Sequence, residues 1–486
     1  MEKRGEEQVQ GYRVEQDFIG KMEVPSGVYY GVQTARALEN FPITGYRLDG
    51  ALISAMGMVK KATALANVKA GLLDERRGKA IADAAQEVME GKFNDQFVVD
   101  PIQGGAGTSV NMNANEVIAN RAIEILGGKL GDYSLISANN HVNMSQSTND
   151  AFPTALRIAL LNKAKALLQA TGEVEKELRL KSVEFDDVLK IGRSHLQDAV
   201  PVRMGQEFGA YADVVARSIQ RLKQSCKGLL AVNMGATAIG TSLNADATYI
   251  DQVIKSLREI SGIDLCLADN LIDATQNTDA FVEFSASMKT LAVVLSKIAN
   301  DLRLLASGPY CGLKEINLPQ MQPGSSIMPG KVNPVIAEVV NQVAFQVIGN
   351  DLVVTLASEA GQFELNVMEP VMAFNLLHSA NILTNAQRVF ASRLIRGITA
   401  NRERCREMVE NSVCIVTALN PHLGYGMTCA IAKEAMQEGR KVRDIVLEKG
   451  LMSEEKLDKV LDAYEMTKVG IAGKEFLAGP AESPGE

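Results

Sequence analysis

A regular apolar repeat in the middle of the chain constrains its fold more than any other sequence feature. From position 281 the apolar residues are spaced alternately three and four positions apart: Phe281, Phe284, Met288, Leu291, Leu295, Ile298, Leu302 and Leu305. This heptad spacing predicts one long helix that packs at a shallow angle against its neighbours. Over the 25 residues of the repeat such a helix extends about 37 Å.

Four further segments are predicted to form long helices: 156–178, 203–231, 335–357 and 367–395. The composition agrees, since the chain contains 14 prolines among 486 residues, only 5% aromatic residues and no Trp, which favours helix over sheet. We therefore predict a mainly all-α fold built on a central bundle of long helices. Helices longer than a domain core usually continue into subunit contacts, so we also expect a homo-oligomer.

Turn signals and helix lengths predict three regions along the chain. Residues 1–145 form an N-terminal domain of shorter helices, residues 146–400 form the long-helix domain, and residues 401–486 form a small helical domain. A Gly-, Pro-, Ser- and Glu-rich tail from position 478 is expected to be loose.

The charge balance and the cysteines exclude several classes of protein. With 50 basic and 58 acidic residues the net charge is −8, which gives no reason to expect a nucleic-acid partner. The six cysteines form no CxxC pair and no zinc-like spacing with His, so we expect reduced thiols, a cytoplasmic location, no metal and no cofactor. We expect neither a signal peptide nor a membrane span. An anionic substrate would need a local positive charge in this acidic chain.

Two polar segments precede predicted helices. Gly104–Ser109, with three glycines, would expose backbone N–H groups at a helix N-terminus, where anions bind. The alternative is a flexible loop with Thr108 or Ser109 as an ordinary cap. Ser145–Asp150 carries hydroxyl and amide side chains that can donate hydrogen bonds to a carboxylate. A polar capping loop is the alternative.

Two more segments carry candidate chemistry. Gly192–Asp198 contains His195, one of only four histidines, which could exchange a proton near pH 7 or be structural. Residues 319–334 hold four of the 14 prolines and predict a long non-helical loop of the kind that is usually functional. This loop is not a nucleotide-binding P-loop, because Val332 follows Lys331 where Ser or Thr would bind magnesium. Asn333 before Pro334 could simply begin a helix.

The segment Gly324-Ser325-Ser326-Ile327-Met328-Pro329-Gly330-Lys331-Val332-Asn333-Pro334 resembles the conserved loop of the aspartase/fumarase superfamily. The other three segments resemble the remaining active-site stretches of that family, in the same order, and the resemblance extends from about residue 12 to about residue 472. It implies an aspartase/fumarase-like fold, assembled as a homotetramer in which three subunits build each active site. In particular, it implies that the Thr108, Ser147 and Ser325 segments come from three different subunits.

Details of these segments resemble the aspartase branch. Tyr29–Phe41 contains Tyr30-Gly31-Val32 where fumarases usually have Trp-Gly-Ala, and Ala106 stands where they tend to have Ser. Asp198–Pro201 also has the aspartase form, and Gly330 differs from the residue of argininosuccinate and adenylosuccinate lyases. Ser137 replaces a His of a secondary acid-binding site in fumarases, so no second site is expected. Deamination of L-aspartate to fumarate is thus the implied activity, and hydration of fumarate is the alternative.

The resemblance also implies a role for each matching residue. Ser325 would be the base that removes the Cβ proton, and His195 the second catalytic residue. The substrate would be bound by Thr108, Ser147, Thr148, Asn149, Ser194 (Thr in many relatives), Ser326, Lys331 and Asn333, with Glu338 in support. A non-catalytic protein that uses this fold as a scaffold would need none of them.

Overall fold

The computed structural model describes residues 11–477 and is dominated by helices. The helices are α1 (Val32–Asn40), α2 (Gly50–Lys69), α3 (Glu75–Met89), α4 (Thr108–Ile125), α5 (Thr148–Glu184), α6 (Met204–Gly228), α7 (Ala247–Ser261), α8 (Leu271–Gln276), α9 (Asp279–Leu305), α10 (Val335–Glu359), α11 (Glu369–Arg393), α12 (Arg402–Asn411), α13 (Asn420–Leu423), α14 (Tyr425–Glu438), α15 (Val442–Glu448) and α16 (Glu454–Val460). The predicted mainly α-helical fold is confirmed. The loose tail lies outside the described residues.

The strands are short and occur in four pairs within the described part of the chain. Three pairs are antiparallel: β1 (Tyr12–Gln16) with β2 (Lys21–Pro25), β3 (Leu189–Ser194) with β4 (Gln197–Arg203), and β7 (Ile316–Asn317) with β8 (Thr399–Ala400). The fourth, β5 (Ala231–Val232) with β6 (Cys266–Leu267), is parallel. Only the β3–β4 hairpin carries predicted site residues.

The heptad repeat lies on α9 as predicted, and all eight of its apolar residues are buried. The other four long helices are α5, α6, α10 and α11. Helix α10 is also long and apolar enough to cross a membrane by length and composition alone. It carries Glu338 and Asp351 and is partly buried, which also fits the central helix of a bundle.

The chain divides into two compact units. The first comprises Met1–Gln169, Ser218–Val293 and Val343–Asn385, and the second comprises Ala170–Arg217, Val294–Gln342 and Ala386–Glu486. Within the second unit, a separate hydrophobic cluster contains Leu419, Ile431, Ile445, Leu457 and Val460. The division into regions 1–145, 146–400 and 401–486 stays a prediction.

Helix α5 begins earlier than the sequence indicates, because Thr148–Asp150 forms its first turn in front of Pro153. A proline inside a helix leaves the carbonyl four residues earlier without its N–H donor. Here that carbonyl belongs to Asn149, and it accepts a hydrogen bond from Nδ2 of Asn233 at 2.9 Å. A side chain from a distant segment thus allows the helix to include its own proline.

Candidate active site

The Gly-rich segment forms a tight turn into helix α4. Gly105, Ala106 and Gly107 all have positive φ, and Gly107 is the N-cap residue. A Cβ atom on Gly107 would lie 2.6 Å from the ring of Phe152, so only glycine fits. The Thr108 hydroxyl donates to the Gly105 carbonyl at 2.7 Å, and its side chain is exposed. Thr108 is therefore not the cap residue; it stands at an exposed helix N-terminus.

The second segment continues into the first turn of α5. Thr148 is 8% exposed, while Ser147 and Asn149 are partly exposed. The buried carboxylate of Asp150 accepts hydrogen bonds from the backbone N–H groups of Ser147, Gly235 and Thr237 at 3.0–3.1 Å. Burial raises the pKa of Asp150 to about 7, against the effect of these donors and of Lys60. Asp150 thereby holds the turn that presents Ser147 and Asn149.

These two segments are in contact inside one chain. Asn111, one turn after Thr108 on α4, donates from Nδ2 to the Thr148 hydroxyl at 3.0 Å. This contact within one chain argues against the expectation that the Thr108 and Ser147 segments of one site come from different subunits.

A polar cluster that was not predicted from the sequence lies behind Thr148. It contains Lys60, Asn111, Asn115, Asn143 and Gln146. Lys60 is fully buried, which lowers its pKa to about 7, although the charge of Asp150 acts in the opposite direction. One signal was present: Asn111, Asn113, Asn115 and Asn120 occur in one buried helix, where Asn has poor propensity.

Ser194 and His195 lie at the tip of the β3–β4 hairpin and are exposed. His195 and Leu196 both have positive φ, 55° and 59°, as a two-residue hairpin turn of type I′ requires. Such turns usually contain Asn-Gly, and His195-Leu196 lacks that pattern, which explains why no hairpin was predicted here.

A buried charge network anchors this hairpin. The carboxylate of Glu315, fully buried, contacts Arg193 Nη1 at 2.7 Å and Lys190 Nζ at 3.3 Å. Lys190 also pairs with Glu207 at 2.8 Å, and burial raises the pKa of Glu207. Since Arg193 directly precedes Ser194, the network fixes the strand end that carries both candidate residues.

The fourth segment forms the predicted non-helical loop, and Ser325 occupies a turn within it. Its Oγ accepts hydrogen bonds from the backbone N–H groups of Ile327 at 3.2 Å and Met328 at 2.9 Å. Two donors directed at one hydroxyl oxygen favour its ionised form. Ser326 next to it is exposed.

Asn333 closes this loop. Its Nδ2 donates to the Gly324 carbonyl at 2.6 Å, and the Gly324 N–H donates to the Lys331 carbonyl at 2.8 Å. The side chain of Asn333 therefore stabilises the loop, and helix α10 begins at Val335, two residues later.

Lys331 and Glu338 line an open cavity of about 870 Å³ beside the loop. Arg303 and Lys314 line it as well, so that three basic side chains and one acidic side chain line the cavity. This cavity provides the local positive charge that an anionic substrate needs in an acidic protein.

The first two segments thus lie in the first unit, and the hairpin and the Ser325 loop lie in the second. Among residues 11–477 no cluster of three or more His, Cys, Asp or Glu could hold a metal ion. All six cysteines are free. Taken separately, the segments of the first unit offer hydroxyl donors, and those of the second offer an exposed His, a Lys and a serine oxygen supported by backbone N–H groups. These groups suit proton abstraction next to a carboxylate.

Two family models match the chain. The model described as "Lyase" matches residues 20–349, and the model described as "Fumarase C C-terminus" matches residues 415–468.

Among curated proteins, the chain is similar to three bacterial proteins named aspartate ammonia-lyase. The protein from Bacillus subtilis is 59% identical and the alignment covers 96% of this chain and 98% of that protein. Those from Helicobacter pylori and Escherichia coli are 51% and 47% identical, with 93% and 96% of this chain and 97% and 98% of theirs covered.

Two solved structures have the same fold. A fumarate lyase:delta crystallin from Brucella melitensis, bound to cobalt, superposes with a TM-score of 0.92 at 49% identity, covering 94% of this chain and all of that one. A class II fumarase from Schistosoma mansoni superposes with a TM-score of 0.91 at 35% identity, covering 94% and 99% of the two chains.

Proposed function

Since this chain belongs to the aspartase/fumarase family of lyases, we propose that it is an aspartate ammonia-lyase. The enzyme converts L-aspartate reversibly to fumarate and ammonia. The observation that carries this conclusion is the 59% identity to an aspartate ammonia-lyase over 96% of the chain.

The reaction depends more on the stabilisation of negative charge on the substrate carboxylate than on a strong acid. A base takes a proton from Cβ, and negative charge accumulates on the adjacent carboxylate as an enediolate. That electron pair then forms the C=C bond as the C–N bond breaks and the amino group leaves as ammonia. Fixed donors around the carboxylate stabilise the intermediate, each by about 3–4 kcal/mol, as in an oxyanion hole.

Ser325 is the base in this proposal. A serine hydroxyl is a poor base unless it is ionised, which requires an adjacent base or surroundings that lower its pKa. The N–H groups of Ile327 and Met328, directed at its Oγ, support this assignment because they stabilise an alkoxide.

The remaining residues bind the two carboxylates and the amino group. Hydroxyl donors hold the β-carboxylate, and a second group holds the α-carboxylate. The first group is Thr108, Ser147, Thr148 and Ser326; the second is Ser194, Lys331 and Asn333. Asn149 and His195 contact the amino group, with Thr108 sharing this contact, and Glu338 orients Lys331 or His195. The position of Lys331 and Glu338 in one cavity supports that pairing.

Each active site is shared between subunits of a homotetramer. An apolar stripe on α10 supports this arrangement: Phe345, Ile348, Leu352 and Leu356 are 39–65% exposed in the single chain. A stripe of this spacing on a long helix is buried when helices of several subunits pack together. A cytoplasmic location, where cysteines stay reduced, is part of the same proposal.

A comparison of substrates tests the function. The purified protein is incubated with L-aspartate and, separately, with malate, and fumarate is followed by its ultraviolet absorbance. We expect fumarate and ammonia from aspartate. A Ser325→Ala protein purified in the same way controls for contaminating host enzymes. If fumarate forms from malate and not from aspartate, the protein is a fumarate hydratase. This is the alternative function, which the similarity to the Schistosoma fumarase suggests.

A further inference from the structure

A buried lysine lies behind the start of helix α5. Lys60, on α2, donates from Nζ to Oδ1 of Asn111 at 2.6 Å, to Oε1 of Gln146 at 2.8 Å and to Oδ1 of Asn143 at 3.2 Å. The residue is fully buried. A buried ammonium group that contacts only amide oxygens must be maintained against a large desolvation cost, which calls for a functional explanation.

The lysine fixes which way the neighbouring amides point. The three hydrogen bonds of Lys60 to amide oxygens fit its protonated form, in which the group can only donate and each amide must turn its oxygen toward it. The orientation of the Gln146 amide is supported independently by its nitrogen. Nε2 donates to the carbonyls of Val142 and Met144 at 3.0 and 3.1 Å, so Oε1 faces the lysine. For Asn111 the consequence is that Nδ2 donates to the Thr148 hydroxyl at 3.0 Å and to Oδ1 of Asn143 at 3.1 Å.

The direction of this last hydrogen bond determines what Thr148 can do. A hydroxyl has one proton and two lone pairs. Since Thr148 accepts from Asn111, its proton stays available for another partner. Were Asn111 turned by 180°, Thr148 would donate to the amide oxygen and present only lone pairs to an anion.

We propose that Lys60 is a positioning residue whose contact with Asn111 aligns a chain of hydrogen bonds from Lys60 through Asn111 to Thr148 and on to the substrate carboxylate. The inference rests on the proposed function, in which Thr148 binds the β-carboxylate. Lys60 touches no substrate atom; it acts by keeping Thr148 a donor. Its charge also lies near Asp150, which holds the same turn.

Two substitutions interrupt this series of hydrogen bonds at different points. Lys60→Met keeps the length of the side chain but removes the donor to Oδ1 of Asn111, so that apart from its bond to Thr148 the amide is held in this direction only by the hydrogen bond from its Nδ2 to Oδ1 of Asn143. Asn111→Asp keeps an oxygen partner for Lys60 but replaces the amide donor, so that Thr148 must donate to the new carboxylate. Lys61→Met is the matched control, because Lys61 lies on the same helix and contacts only Gln86 in the described structure.

Both substitutions should lower kcat/KM for aspartate about 10- to 100-fold, the usual effect of losing one hydrogen bond to a charged group. The loss should lie mainly in kcat, because the carboxylate gains charge as the enediolate forms. Lys61→Met should retain wild-type kinetics. Full activity in Lys60→Met or Asn111→Asp would overturn the proposal.

A double-mutant cycle with Thr148→Val separates positioning from a general structural role. If Lys60 acts through Thr148, Lys60→Met should have little further effect on kcat in the Thr148→Val protein. Additive losses would overturn the proposal. Should Lys60→Met fail to fold, the cycle is run with Asn111→Asp, which retains a partner for the lysine.

The same series distinguishes this inference from the proposed function. If the wild-type protein releases fumarate from malate and not from aspartate, the function is wrong, and the cycle is measured with malate. Thr148 then faces the same type of carboxylate. Coupling between Lys60 and Thr148 would support the inference with either substrate, and additivity would overturn it with either.

Discussion

At the scale of single residues, the proposed chemistry depends on hydrogen bonds that enhance otherwise weak groups. Ser325 has an ordinary hydroxyl, but two backbone N–H groups point at its oxygen. Thr148 has an ordinary hydroxyl too, but Asn111 leaves its proton available. The residue type therefore identifies a candidate, and its hydrogen-bond partners determine what it does.

Ser325→Ala should lower kcat at least about 100-fold, since an essential proton acceptor contributes about 10²–10⁴. The thermal unfolding midpoint should stay near that of the wild type, because the loop is exposed. Ser134→Ala, at an exposed serine that contacts Asp132, is the control. A Ser325→Ala protein with more than about a tenth of wild-type kcat would contradict the assignment of the base.

Lys331→Ala should raise KM for aspartate and lower kcat/KM at least about 10-fold, because it removes the cation proposed to hold the α-carboxylate. Lys331→Arg should restore only part of the activity, since a planar guanidinium does not replace a compact ammonium group. Steady-state kinetics measure both, with Lys441→Ala at an exposed position as the control. Unchanged kinetics in Lys331→Ala would mean that this lysine is an ordinary surface charge.

At the scale of elements, the candidate side chains of three segments stand at the end of a helix or strand that buried contacts hold in place. The ring of Phe152 packs against Gly107 before α4, Asp150 fixes the first turn of α5, and Glu315 anchors the end of β3. None of these three residues was among the predicted site residues. They were missed because their role depends on contacts across distant parts of the sequence.

Gly107→Ala should destabilise the protein by about 1–3 kcal/mol, since it adds a Cβ atom at positive φ against an aromatic ring. It should also lower kcat/KM, because the turn positions Thr108. Thermal unfolding and kinetics measure these effects. Gly426→Ala is the control: this exposed glycine lies in α14 with no atom within 4 Å of an added Cβ, and the substitution should not destabilise. Equal stability of the two variants would show that the turn tolerates a side chain.

At the scale of the whole molecule, the proposed active site needs more than one chain. Within one chain, Asn111 in the first turns of α4 contacts Thr148 in the first turn of α5, so the proposal takes Thr108 and Thr148 from the same subunit. The proposal assigns the Ser325 loop of the same site to another subunit. Burial of the apolar stripe on α10 would favour association of the subunits, because it removes apolar surface from water.

Mixing two inactive variants tests this arrangement. Thr108→Val and Ser325→Ala proteins should each be nearly inactive. After unfolding and joint refolding, independent assortment of subunits should restore both wild-type segments at about a quarter of the sites. Activity of the mixture is compared with each variant refolded alone, and subunit exchange is verified with differently tagged chains. A mixture as inactive as its parents, despite exchange, would show that each site belongs to one chain.

The sequence by itself determined the long helices and the position of the Ser325 loop. Both signals are local: the heptad spacing of Phe281–Leu305 fixes one buried helix face, and prolines around Ser325 prevent a helix. The resemblance to a known family supplied the site residues, whose roles stay predictions.

Only the tertiary structure decided how those residues are held. The sequence predicts the start of α5 after Pro153, but Asn233 satisfies the Asn149 carbonyl and lets the helix begin at Thr148. Lys60 likewise has no local sequence pattern that marks it, because its partners lie 51 and 86 positions away at Asn111 and Gln146. The physical reason is common to both: a buried polar group must find a partner, and the fold, not the neighbouring sequence, determines which distant side chain provides it.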